Sequence, residues 1–299
     1  MKPETKYQKK ILEVYVDARK AIRAEMGRLF ERYAKDGKLT YAEMTRYNRL
    51  AGTEKQINTI LLKTYSYNGK MVKKLAEESY EASYFKKAWE IENKAKVSLK
   101  WGLFNPATIT AAIENPLEYI ALEGIKRNGL IGIQRTITQG LLRGDSYQKM
   151  SRAITKFFDT DARKFMTIAR TEGQRAQVLG QQDLYKDAEE MGIETTWIWD
   201  ATLDGATRPE HAALDGVPAE VDGDGEHYWN TAVGRVRGPL QSGDPAFDIN
   251  CRCAVREEVV GYAPELRRIR DEGVKPYETF KEWAEPKGWT PEKGWPKKK

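Results

Sequence analysis

The chain has 299 residues, 40% of them hydrophobic and 31% charged, with a mean hydropathy of -0.69 and a formal net charge of +6. This length accommodates two domains, and the composition excludes whole-chain disorder. No stretch approaches the ~20 apolar residues of a membrane-spanning helix, and the polar, basic segment Met1 to Lys10 lacks the apolar region of a secretory leader. No export and no membrane partner are expected. The charges are mixed along the chain, so they favour acidic partners only modestly. Two cysteines make no disulfide framework and point to a reducing cytosol.

Apolar positions at Ile11, Tyr15, Ala18, Ile22, Met26, Leu29 and Tyr33 recur every three or four residues, so one stripe runs along a first helix. Asp36-Gly37 closes it, and Thr40 to Glu43 reads as a capping box that opens a second. That pattern continues through Met44, Tyr47, Ala51, Ile57 and Leu61 to a predicted turn at Asn68-Gly69; Met71, Leu75, Ala82, Phe85 and Trp89 then suggest a third helix. The stripe fits a three-helix bundle and an extended docking arm equally well.

The helical signal breaks between Trp101 and Pro116, where Asn105-Pro106 and Asn115-Pro116 supply turn chemistry. Helical periodicity returns over Leu117 to Leu142 and, after Gly144-Asp145-Ser146, over Tyr147 to about Met191, with a predicted break near Asp159 to Asp161. Past Gly192 the run Thr195 to Trp199 is β-branched and aromatic, and Asn250 to Val260 alternates as a strand that puts Cys251, Cys253 and Val255 on one face. The tail from Pro276 carries Trp283, Trp289 and Trp295 at a spacing of six and ends in three lysines. Because tryptophan is depleted in disordered segments and enriched at interface anchors, an extended docking tail is favoured over a disordered one.

The expected fold class is therefore α+β. A long helical N-terminal region is followed by a mostly helical segment and a small C-terminal domain of short strands and loops. The expected divisions are a helical arm or bundle over 1–104, an α+β domain over 105–260, and an extended tail over 261–299.

His211, His227, Cys251 and Cys253 are all the histidines and cysteines of the chain, and they fall in one short window. Two thiolates and two imidazoles satisfy the tetrahedral preference of zinc. A Cys251–Cys253 disulfide is disfavoured, because residues two apart on a strand sit ~6.6 Å apart. The competing reading takes the cysteines as small buried hydrophobes, with His211 hydrogen-bonded in a loop and His227 exposed. It is preferred, because no Cys-x-x-Cys pair accompanies the Cys-x-Cys. Asp204 and Asp215 lie within reach of Arg208, and structural pairing there is favoured over a catalytic His211 oriented by a carboxylate. No nucleophile motif and no Gly-rich phosphate loop occur. Arg170, Glu172 and Arg175 read as ion pairs on a helix surface.

Taken in order, Ala169-Arg170-Thr171-Glu172, the Trp197 strand, Asp204-x-x-Thr207-Arg208-x-x-His211-x-x-Leu214-Asp215-Gly216, Pro245-x-Phe247 and Asn250-Cys251-Arg252-Cys253 resemble the phage Mu F-like, head-morphogenesis family of tailed bacteriophages. The likeness covers about Leu117 to Val260. It implies a minor capsid protein that associates with the portal inside the procapsid and with the major capsid or scaffolding protein. It also implies contact with packaged double-stranded DNA and a place inside the virion head near the portal, reached from the host cytoplasm. It implies neither an enzymatic activity nor a required cofactor; zinc is the one candidate. Relatives that carry Cys-x-x-Cys where this chain has Arg208 and His211 would complete a four-cysteine set, but a charged arginine cannot ligate a metal, so a full site here needs His227 or water. The alternative function is a metal-dependent nuclease or other hydrolase centred on His211, Cys251 and Cys253.

Overall fold

A computed structural model describes residues 3–95, 98, 101, 106–259, 266–269 and 273–276. The helices are α1 (Pro3–Tyr33), α2 (Tyr41–Thr45), α3 (Arg49–Ala95), α4 (Pro106–Ile113), α5 (Pro116–Leu142) and α6 (Tyr147–Glu190), with two short ones, α7 (Pro209–Ala213) and α8 (Pro245–Asp248). The strands are β1 (Thr195–Asp200), β2 (Glu220–Val221), β3 (His227–Thr231), β4 (Gly234–Val236), β5 (Ala254–Val259), β6 (Leu266–Ile269) and β7 (Gly273–Pro276). The chain is α+β, with a long helical N-terminal region and short antiparallel strands near the C-terminus. No helix among the described residues is long and apolar enough to cross a membrane.

Two compact units form, each discontinuous in sequence: Met1–Leu75 with Asn115–Arg170, and Ala76–Glu114 with Thr171–Lys299. The expected divisions at 104 and 260 run along the chain, whereas these units interleave and part within α3 and α6.

In the first unit the stripe of α1 is consumed by the unit's own core. Ile11, Tyr15, Ala18, Ile22 and Met26 are buried together with Leu61, Tyr65, Ile133, Ile137, Phe158 and Phe165. α1 ends where expected, with Asp36 and Gly37 at φ 49° and 70°, and Thr40 Oγ1 accepts from the Glu43 amide at 3.3 Å. The helix that follows is not continuous. Tyr47 and Asn48 take φ of 56° and 55°, kinking the chain between α2 and α3. The predicted turn at Asn68-Gly69 and break at Asp159 to Asp161 are absent, since α3 and α6 run straight through both. Burial explains this: Asn68 is fully enclosed, and Asp161 faces inward to accept from Tyr15 Oη at 3.0 Å and Tyr65 Oη at 2.7 Å. Tertiary packing overrides the local propensity of these residues.

In the second unit β1 and β5 pair antiparallel, with Trp199 opposite Val255 and Asp200 opposite Ala254. Trp197, Trp199, Trp229, Tyr185, Val255 and both cysteines form its core. β2, β3 and β4 make a second small antiparallel sheet, and β6 and β7 pair as a hairpin within the expected tail. The tryptophans at 283, 289 and 295 lie outside the described residues.

Candidate functional site

His211 sits on α7, where Pro209 opens the helix at a position that needs no backbone donor. The two cysteines lie just ahead of β5 rather than on a strand. Asn250 adopts φ 59°, a left-handed conformation that asparagine tolerates, and the Cys251 amide donates to Asp248 O at 3.0 Å. That turn brings both sulfurs onto one imidazole nitrogen: His211 Nδ1 lies 3.4 Å from Cys251 Sγ and 3.5 Å from Cys253 Sγ. All three side chains are buried, and their ligand atoms lie within 4.8 Å of one another. Trp199 meets the imidazole edge-on, and Phe247 lies 4.2 Å from it, centroid to centroid. A cavity of about 10 Å³ lies against the three residues, bounded also by Arg208, Thr207 and Asn250.

The surrounding residues fix this arrangement. Thr171 Oγ1 accepts from the Asn250 amide at 3.2 Å, Gln174 Nε2 donates to Cys253 O at 3.2 Å, and Thr202 Oγ1 donates to Arg252 O at 2.9 Å. Arg252 forms a forked pair with Asp204, one bond measuring 2.6 Å. A hydrogen bond from the Cys253 thiol, reinforced by His211 against the effect of burial, holds the Cys251 thiol down at about 5. The same bond, together with burial, pushes Cys253 up.

His227 does not join the set. On β3 it stacks on Trp197 at 3.9 Å, with Nε2 3.4 Å from Glu189 Oε2, because the strand directs the ring into an aromatic layer. It is buried rather than exposed. Arg208 bridges neither aspartate; it donates to Ile249 O at 2.6 Å, while Asp215 Oδ1 accepts from the Ala201 amide at 3.0 Å. Glu172 and Arg175, expected on a helix surface, form a buried pair at 2.9 Å, and Arg175 also donates to Ile113 O.

One basic feature escaped the sequence reading. In the first unit Arg23 of α1 and Arg152, Lys156 and Arg163 of α6 line a groove with the hydroxyls of Ser151, Thr155 and Thr160. The fourth and third residue steps between positions 152, 156, 159 and 163 were the available signal, since they share one helix face. Asp159, the one acid there, is bound to Arg19 at 3.2 Å.

The family model for "Phage Mu protein F like protein" matches residues 132–256, the stretch that contains the triad and the segments holding it. The chain is 31% identical over 291 residues to "Minor head protein GP7" of Bacillus phage SPP1, covering 95% of this chain and 93% of the relative. It is 28% identical over 82% of its length to "NAD(+)--arginine ADP-ribosyltransferase EFV" of Enterococcus faecalis, of which it spans 50%. An uncharacterized protein of Haemophilus influenzae is 26% identical over 54% of this chain, which spans 33% of that protein. No solved structure matches. Similarity that runs end to end with a minor head protein, and a family match over the described site, place this chain in the phage Mu protein F-like family.

Proposed function

We propose that this chain is a minor head protein of a tailed bacteriophage that joins the portal during procapsid assembly, lies inside the head, and touches the packaged DNA without catalysing a reaction. The observation that carries the reading is the similarity to a minor head protein over 95% of this chain and 93% of the relative. The relative named as an ADP-ribosyltransferase is matched over only half its own length, so its named activity is not carried over to this chain. The hydrolase reading needs an open metal position and an accessible base. His211, its central residue, is 2% exposed and turned onto two sulfurs.

DNA contact is supported by the groove of Arg23, Arg152, Lys156 and Arg163, none of which has an ion-pair partner among the described residues. From Arg152 to Arg163 the helix advances about 16 Å, which suits an extended polyanion better than a point anion. Arginine, lysine and Ser/Thr hydroxyls are the groups that contact phosphates in duplexes.

Two experiments test the proposal. Procapsids assembled with and without portal protein should take up the chain only when the portal is present; uptake without portal would refute the portal contact, and absence from all particles would refute the whole reading. For DNA, the triple variant R152Q/K156Q/R163Q should lower the salt dependence of duplex binding by about 2.7 in log-log slope, at ~0.9 per lost phosphate contact. The variant K55Q/K63Q/K73Q, which removes equal charge outside the groove, should change it far less. Equal effects of the two would assign binding to net charge and remove the groove from the proposal.

A further inference from the structure

We propose that His211 Nδ1 and the thiolates of Cys251 and Cys253 bind one zinc ion, as a structural brace that fastens α7 to the entry of β5. The geometry of three atoms carries this. Nδ1 has a single lone pair, yet both sulfurs lie within 3.5 Å of it. Neutral thiols can place only one S–H on that lone pair, so the second sulfur sits beside the nitrogen without bonding to it. A cation among the three satisfies all of them at once. Zinc bonds of about 2.3 Å to sulfur and about 2.0 Å to nitrogen set tetrahedral edges of roughly 3.5 to 3.8 Å. The nitrogen–sulfur separations of 3.4 and 3.5 Å sit at the short edge of that range.

Donor chemistry and space narrow the choice of ion and of role. Two thiolates and an imidazole suit zinc, while calcium and magnesium require oxygen ligands. The adjoining cavity of about 10 Å³ is close to the space that one water occupies, so water can complete the tetrahedron. Arg208, beside it, stays charged and does not ligate. Three protein ligands with one open position is the pattern of catalytic zinc, but a catalytic site must also admit a substrate. Here the ligand side chains are 2 to 4% exposed and the free space holds a single small molecule. The site is therefore structural.

His211 Nε2 is buried with no hydrogen-bond partner among the described residues. Zinc-bound histidines ordinarily donate that second N–H to an acceptor, and loss of such a partner weakens metal binding by about 10 to 100-fold. Affinity should accordingly fall below that of a fully supported site. His227, held by Trp197 and Glu189, takes no part. The inference does not rest on the head-assembly reading, because metal content is measured on the purified full-length chain whether or not it enters particles.

The test is elemental analysis of the full-length chain, followed by titration of the metal-free protein with cobalt(II). One zinc per chain is expected, with a cobalt–thiolate charge-transfer band that saturates at one equivalent. C251S, C253S and H211A should each lose the metal, and H227A should keep it. Should the three ligand variants fail to fold, the cobalt spectrum of the unaltered chain decides alone. A chain purified with zinc in the medium that holds less than about a tenth of an equivalent, and gives no thiolate band with cobalt, would overturn the proposal and leave a packed thiol–imidazole cluster.

Discussion

Glu257 offers the sharpest test of how the second unit is held. It is 1% exposed on β5 and accepts from Lys94 Nζ at 2.6 Å, Tyr185 Oη at 2.7 Å and Lys87 Nζ at 3.2 Å. Burial pushes its carboxyl up, but Lys87 and Lys94 outweigh that and hold it at about 2 against an ordinary 4.5. At about 1.4 kcal/mol per unit, the difference corresponds to roughly 3 kcal/mol of folding stability. Because the folded value lies below the unfolded one, this contribution is complete above about pH 4.5 and is lost as pH falls toward 2. Glu257→Gln keeps an acceptor for Tyr185 but leaves Lys87, whose side chain is 16% exposed, with Glu90 alone at 2.7 Å. A loss of about 3 kcal/mol is expected at pH 7, the lower end of the cost of breaking a buried pair. That is a fall of roughly 6 to 12 °C in melting temperature. The five tryptophans among the described residues belong to the second unit, so tryptophan fluorescence reports on this unit. The gap between variant and parent should shrink to less than about half by pH 3. A variant that melts within 2 °C of the parent at pH 7, or a gap that does not depend on pH, would refute the assignment.

Two glycine substitutions test the close approaches in each unit. Glycine to alanine within a helix ordinarily stabilises by about 1 kcal/mol, but a Cβ on Gly180 would stand 2.4 Å from the backbone oxygen of Tyr80, so Gly180→Ala should lower the fluorescence-detected melting temperature. A stabilised variant would show that α3 and α6 are not this close. In the first unit a Cβ on Gly129 would stand 1.9 Å from Tyr65 Oη, which is tied to Asp161; Gly129→Ala should cost about 1 to 3 kcal/mol by displacing that bond. In the double variant with Tyr65→Phe most of this cost should vanish, and full additivity would contradict the account.

Much of the architecture was legible because its signals are periodic. The three and four spacing from Ile11 to Met26 became a buried face, and the Asp36-Gly37 stop and the Thr40 cap appeared where local chemistry put them. The errors share a cause. Asn68-Gly69 and Asp159 to Asp161 look like punctuation when read locally, but Asn68 and Asp161 are buried, and Asp161 is engaged by tyrosines 96 and 146 residues away. Conversely, Tyr47 carried no breaking signal and yet sits at the kink. The clustering of His211 with the cysteines was legible from composition, and the exclusion of His227 was not, because it depends on where β3 stacks against Trp197. Glu257 could have been found: with Val255 and Val259 facing inward, a period of two places a carboxylate between them on the buried face.

Residues of the ordered motifs from which the family likeness was read, together with Gln174 and Thr202 beside them, form one connected cluster. Thr171 holds Asn250, Gln174 holds the carbonyl of Cys253, Thr202 holds that of Arg252, Asp204 pairs with the side chain of Arg252, and His211 meets both sulfurs. Each of these contacts joins one segment of the second unit to another distant in sequence. A catalytic constellation presents its acid, base or nucleophile to a cleft, with other groups aiming it. In this cluster the acids and the imidazole are already engaged by the chain itself, and the thiols are 2 to 4% exposed. The physical work of these contacts is to fix the crossing of α6, α7 and the turn before β5.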